Sequence, residues 1–273
     1  MTVPRTMNPP PADSEASEIL RIRAEYDRRQ REIPRGFYSW GRLSNYFLDT
    51  QLVRACINEL NREGLFPLEN RKVADIGCGS GRWLLEFAQW EAGEIHGIEL
   101  DEDRLGRARD RLPSADLRVG DARHLPWADD SFDLVSHFTL FSSILNDTVK
   151  KQIAAEMMRI VKPTGVILWF DFRVNNPRNP GVRGIDATEI RSLFPGCSVR
   201  LRSVTLAPPI ARFVVPKSWI AACLLENIPF LRTHYLGVIR KQAKYAGAQY
   251  RDEGTFGLAP TGRSSAPSQA LES

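Results

Sequence analysis

Apolar residues recur along the chain at two different spacings. Between residues 15 and 32, Ile19, Ile22 and Tyr26 fall three and four apart, which puts them on one face of a helix that Pro34 ends. An aromatic, turn-prone stretch, GFYSWGRLSNYF, leads into a second amphipathic helix over residues 48–63, closed by Gly64. After Arg71 the pattern changes to short apolar runs alternating with helical stretches. VADIG, IHGIEL, DLRVGDA, FDLVSHFTL and VILWFDF read as strands, interspersed with helices over residues 81–90, 102–112 and 148–160. Strands with few polar positions, separated by helices, predict a parallel sheet covered on both faces. VRLRSVTL and YLGVIRK add two more strands, one of this last pair antiparallel.

Both ends of the chain are poor in groups that could drive ordering, so residues 1–14 and 252–273 are predicted to be disordered tails. Between them lie a helical segment at 15–69 and an α/β domain at 70–245. A composition of 42% hydrophobic and 26% charged residues argues against a disordered or membrane-embedded chain. Thirty-seven basic residues against 33 acidic ones leave a net charge of +4, too small a surplus to imply a nucleic-acid partner. Cys56, Cys78, Cys197 and Cys223 form no CxxC pair, and the four histidines have no HxxxH spacing. Neither a disulfide framework nor a metal is predicted, and a reducing compartment fits. With no apolar leader and no transmembrane run, the expected location is cytoplasmic.

The strongest local signal is VADIGCGSGRW, a strand running through a glycine-rich turn into a helix. Gly77, Gly79 and Gly81 form GxGxG, whereas the dinucleotide fingerprint needs glycine where Arg82 stands, so NAD binding is disfavoured. The turn is either a tight βα connection or a place where backbone approaches a ligand. Asp75, at the end of the first strand, could cap the loop amides or face a ligand. Glu99, ending the second, has the two oxygens that a ribose diol would use, and is otherwise a solvated charge. Asp121 follows the third strand and could accept from an exocyclic amine while the Ala122 amide donates to a ring nitrogen; the other reading is a turn-forming aspartate.

DIGCGSG, IELD, GDARHLPWADDSFDLV and VKPTGVILWFDF, in this order over residues 70–172, resemble the class I S-adenosylmethionine-dependent methyltransferases, particularly their small-molecule (type 11-like) branch. The resemblance implies a Rossmann-like, doubly wound seven-stranded sheet in the order 3-2-1-4-5-7-6, its last strand antiparallel, here preceded by N-terminal helices. It implies S-adenosylmethionine as cofactor, with Asp75, Gly77, Cys78 and Gly79 on the methionine side, Glu99 and Leu100 at the ribose, and Asp121 with Ala122 at the adenine. His137, Phe138 and Thr139 fall where the methyl group would face its acceptor, and Phe138 counts among the cofactor contacts. SHFT is not the [DN]PPY of enzymes that methylate nucleobase or amide nitrogens.

Methyl transfer from a sulfonium relies mainly on positioning, and only a hydroxyl acceptor of high pKa needs a general base. His137 is the first candidate, its alternative a structural histidine; Asp171 is the second, its alternative a loop cap; His234 is a third. The loop RVNNPRNPGVRG is expected to bind an anionic or polyhydroxylated small molecule through Arg173, Asn176 and Arg178. The tryptophans Trp40, Trp83, Trp90 and Trp169 read as core or lid packing, and SWIAACLLENIPFL as a buried segment. The function these features suggest is methylation of a small-molecule acceptor, such as a sugar or secondary-metabolite hydroxyl or amine. A macromolecular acceptor, or S-adenosylmethionine binding without catalysis, are the alternatives. Oligomeric state is left open.

Overall fold

The computed structural model describes residues 15–32, 41–175 and 181–242; the predicted tails, Trp40, Asn176 and Arg178 lie outside the described residues. Seven strands form one sheet: β1 (Lys72–Ile76), β2 (Glu94–Glu99), β3 (Asp116–Val119), β4 (Phe132–Phe138), β5 (Val161–Phe172), β6 (Cys197–Leu206) and β7 (Arg232–Lys241). Their order is β3-β2-β1-β4-β5-β7-β6, with β1 to β5 parallel and β7 antiparallel to both β5 and β6. Order and strand directions agree with the reading of the sequence.

Side-chain alternation along the central strands divides the core between the two faces of the sheet. Val166, Leu168 and Phe170 of β5 join Leu134 of β4 on the face covered by α2 (Leu43–Arg62), α3 (Arg82–Gln89) and α4 (Glu102–Arg111). Ile167 and Trp169 turn to the other face with Val135, against α5 (Asp147–Ile160) and α6 (Ala187–Leu193). Side-chain caps start three of these helices: Asp101 accepts from the Arg104 amide, Asn146 from Thr148 and Val149, and Asp186 from Thr188 and Glu189.

Two expectations change. The second helix begins at Leu43, a turn earlier than residue 48, because Tyr46 and Phe47 pack on Trp219 and give the extra turn a buried face. The apolar run 218–231 is not a buried segment. It folds into α8 (Trp219–Glu226) and a short 3-10 turn, which rest with α7 (Pro208–Val214) on a small satellite core around Phe47, Ala211 and Ala222. That core is too small to cover both sides of α8, so Ile220, Leu224 and Phe230 remain exposed.

Candidate donor and acceptor site

The loops at the C-terminal ends of β1 to β5 converge on one edge of the sheet, where open α/β sheets bind ligands. After β1 the chain passes through Gly77, Gly79 and Gly81 with φ of 73°, 56° and 78°, left-handed values that favour glycine. Space around the turn is tight as well: a Cβ on Gly77 would stand 3.0 Å from the Leu140 side chain, and one on Gly79 2.6 Å from the Arg104 guanidinium. The buried Glu99 carboxylate ties this turn to β2 by accepting from the Gly79 amide at 2.8 Å and from its own following amides, Leu100 at 3.0 Å and Asp101 at 3.2 Å. A carboxylate has about four lone-pair sites, so roughly one remains for a further donor.

Asp121 is held in the same way by its neighbour, accepting from the Arg123 amide and guanidinium, so the turn-forming role read from the sequence is present. Asp75 is buried beside β4 and accepts from the Ser136 hydroxyl at 2.7 Å. Burial pushes its pKa up to about 8, against that hydrogen bond and with a smaller push from Glu99. Cys78 turns its sulfur into the core, where a Cβ on Gly97 would meet it at 2.9 Å, leaving only backbone for a ligand.

Two adjoining cavities occupy this edge. A slot of about 50 Å³ runs past Glu99, Leu100, Asp121 and Ala122, and a larger cavity of about 460 Å³ opens beyond it. Tyr26, Gly77, Leu140 and Ser143 line both, so the glycine turn is the point where the two meet. Phe138 stacks on Trp83 at 3.7 Å and forms part of the larger cavity's wall.

The helix α1 (Glu15–Glu32) covers the slot with Ile19, Ile22 and Tyr26. Glu18 accepts from the Leu145 amide at 2.6 Å, and Arg21 donates to the Ser143 carbonyl at 2.5 Å, clipping the helix to the loop after β4. Burial opposes the charge on Glu18, and its hydrogen bonds from Arg21 and Leu145 outweigh it, so the net effect holds the carboxyl below its usual range.

The base candidates do not reach the larger cavity. His137 is fully buried, and strand alternation turns its ring to the face opposite Phe138, against Phe141 at 4.8 Å and Trp169 at 4.3 Å. Neither ring nitrogen has a hydrogen-bond partner, Nδ1 lies 4.0 Å from the Asp171 carboxylate, and burial lowers the pKa to about 3. This is a core imidazole, a correction to the general-base reading. Asp171 is equally buried and caps the turn at Phe141–Ser143 by accepting from the Ser142 amide; burial pushes its pKa up to about 6. The loop-cap alternative therefore describes it. His234 stacks on Phe170 and lies 3.0 Å from the hydroxyl of Thr233, a cavity-lining residue.

Of the loop residues expected at the acceptor, Asn176 and Arg178 lie outside the described residues and Arg173 does not line the cavity. Arg173 points at the Tyr235 ring, 5.4 Å from its centroid, and Arg183 pairs with Asp147 and Glu189. Among the described residues of this loop, Val174, Asn175 and Val182 line the cavity. The ends of this loop are pinned together: Gly184 donates to Asn175, and a Cβ on Gly184 would stand 2.5 Å from the Val174 backbone. Sequence reasoning missed Tyr26, which lines both cavities, and Arg104, Pro208, Pro209 and Arg212 in the wall of the larger one. Nothing in the charged helix EDRLGRARDR marks Arg104, whereas Tyr26 sits on the apolar face that the spacing identified.

Among the described residues no group of three or more His, Cys, Asp and Glu side chains could hold a metal ion. Residues 73–165 match the methyltransferase-domain family. The chain is 34% identical over 100 residues to methyltransferase GfsG of Streptomyces halstedii, covering 34% of this chain and 35% of that protein. It is also 34% identical over 119 residues to a demethylmenaquinone methyltransferase of Desulfitobacterium hafniense, covering 41% and 45%. The aligned part thus spans less than half of either relative. Two crystal structures share the fold. A Pyrococcus horikoshii protein has a TM-score of 0.53 at 17% identity, covering 80% of this chain and 99% of that one. Phosphoethanolamine N-methyltransferase 1 of Haemonchus contortus, in complex with phosphoethanolamine and S-adenosylhomocysteine, has a TM-score of 0.55 at 17% identity, covering 89% and 52%. The match thus identifies residues 73–165 as a methyltransferase domain, set in a sheet whose strand order is the one expected of the class I S-adenosylmethionine-dependent methyltransferases.

Proposed function

We propose that the protein transfers the methyl group of S-adenosylmethionine to a small-molecule acceptor held in the larger cavity. The observation that carries this reading is the meeting of slot and cavity at Gly77 and Leu140, which gives a donor and an acceptor separate compartments with one shared wall. The residues fit the donor. Glu99 has an open lone-pair site beside the left-handed turn, Asp121 and Ala122 flank the far end of the slot, and the turn leaves no room for side chains. When bound, S-adenosylmethionine supplies an electrophilic methyl group on a sulfonium; the chain's part is to hold that group against the acceptor and keep water away.

The slot is much smaller than a nucleoside, so donor binding displaces side chains that line it, Tyr26 first, and with Tyr26 the Arg104 guanidinium that packs on its ring from the larger cavity. Among the described residues the cavity wall carries no carboxylate and no imidazole. This favours an acceptor that arrives as a competent nucleophile, a neutral amine or an already ionised oxygen or carbon acid, over a hydroxyl needing deprotonation. Phe138, Leu140, Phe172, Val174 and Pro208 make much of the wall apolar, with Arg212 at its margin, which suits an acceptor with an apolar body and a polar or anionic end. The test is calorimetry with S-adenosylmethionine, followed by incubation with methyl-deuterated donor and fractionated small-molecule and lipid extracts, read by mass spectrometry. A labelled small molecule is the expected result. Donor binding with label only in macromolecules, or in nothing, would refute the proposal.

A further inference from the structure

Six of the ten large apolar side chains that stand exposed among the described residues gather on one region, formed by the start of α2, α7, α8 and the turn after α8. Phe213 is 66% exposed, Ile220 74%, Leu224 66% and Phe230 79%, and Leu43 and Tyr46 adjoin them, Tyr46 through Trp219. Ile220 and Leu224 are four apart on α8, so they share the face opposite the one that Ala222 buries. A soluble surface rarely gathers so many large apolar groups without a binding role. No helix among the described residues is long and apolar enough to cross a membrane, so the region would lie on a surface and not within one.

The charges around the region have one sign. From residue 207 to 232 the chain carries Arg212, Lys217 and Arg232 against a single acid, Glu226. Glu226 and Arg232 both turn away, lining the cleft between α2 and β6, which leaves Arg212 and Lys217, and the Lys217 ammonium sits over the exposed Phe213 ring, 3.3 Å from its centroid. Large apolar side chains beside cations match the interface of an anionic bilayer, apolar groups entering the acyl boundary and ammonium or guanidinium groups meeting phosphates. The placement has a further consequence, which rests on the proposed methyl transfer. The helix α7 is shared, since Pro208, Pro209 and Arg212 line the larger cavity while Phe213 points outward.

We infer that α7, α8 and the turn at Pro229–Leu231 form a docking surface for an anionic phospholipid bilayer, through which a membrane-dissolved acceptor reaches the cavity. The full-length protein is expected to co-sediment with vesicles of phosphatidylglycerol and phosphatidylcholine, and more weakly with phosphatidylcholine alone. Replacing Phe213 and Phe230 by Ser and Ile220 and Leu224 by Asn together should lower the partition coefficient by about tenfold or more, because each exposed side chain is a separate apolar anchor. Lys217→Glu should weaken binding to the anionic vesicles only, and added salt should mimic it. All five substituted groups lie at the surface, and donor affinity, measured alongside, should stay unchanged in both variants. Vesicle binding needs no methyl transfer, so the result stands apart from the fate of the proposed reaction. Failure of the wild-type protein to bind, or equal binding by the fourfold variant, would overturn the inference. So would sedimentation velocity showing a dimer that the fourfold variant dissolves, which would make the surface a contact between copies of the chain.

Discussion

The guanidinium of Arg104 lies against the Tyr26 ring, 4.6 Å from its centroid, and 3.9 Å from the Glu99 carboxylate, joining α1 to the glycine turn through one side chain. That side chain also fills the space a Cβ on Gly79 would need. A donor bound as proposed would therefore compete with this contact for the same volume. Tyr26→Leu keeps an apolar residue on α1 and removes the ring; it should tighten S-adenosylmethionine binding about two- to tenfold, the worth of a partly exposed cation–π contact. Calorimetry checks this, and an unchanged or weaker affinity would mean that the Arg104–Tyr26 contact persists over the bound donor.

Glu99 holds three backbone amides and keeps one acceptor site open, so its removal acts twice. Glu99→Ala should weaken donor binding by about 1–3 kcal/mol and lower the melting temperature, since the Gly79 amide is left buried without its acceptor. Unchanged calorimetric affinity in the folded variant would take Glu99 out of the donor site.

Two glycines separate backbone requirement from helix propensity. Gly79→Val meets both a left-handed φ of 56° and the Arg104 side chain, and donor binding should be lost. Gly106 lies inside α4 with open space where a Cβ would go. Gly106→Ala should stabilise the protein by about 0.5–1 kcal/mol in urea unfolding and leave donor affinity as it was.

The buried imidazole of His137 makes a pH prediction with a definite sign. Its folded pKa, about 3, lies below the ordinary value of 6.5, so the unfolded chain takes up a proton that the folded chain refuses as pH falls between the two. Stability is lost over that window, and His234, also lowered to about 3 by burial, adds to the loss. His137→Phe fills the same space without orphaned nitrogens. It should lose less stability than the wild type between neutral pH and about pH 5, with the pH dependence of kcat unaltered. A kcat that collapses while donor and acceptor binding survive would restore His137 to the chemistry.

The sheet was legible because its evidence is local: apolar runs of strand length, glycines at a fixed offset from Asp75, and an acid closing each of the next two strands. The residues proposed for the donor carry the same local marks. The acceptor side was less legible for two different physical reasons. Alternation along β4 already requires that His137 and Phe138 point to opposite faces, so placing Phe138 at the ligand should have sent His137 into the core. The run SWIAACLLENIPFL, by contrast, has one composition whether it is covered or bare. Only the small size of the core beneath α8 shows that half of it stays exposed, and no pattern in the letters records that. Arg104 enters the site through packing between elements distant in sequence, which a helix of alternating charges does not disclose.

The clasp between Gly184, Asn175 and Val174 makes a fixed neck at the base of the loop after β5. The neck is held further by the Arg183 amide on the Ser142 carbonyl and the Ile185 amide on the Phe172 carbonyl, so Val174 and Val182 are presented to the cavity from a closed base. Chain inserted within such a base adds little closure entropy, since the ends are already together. The closed neck thus lets the length or sequence of this loop change at small cost to the sheet and the glycine turn beneath it.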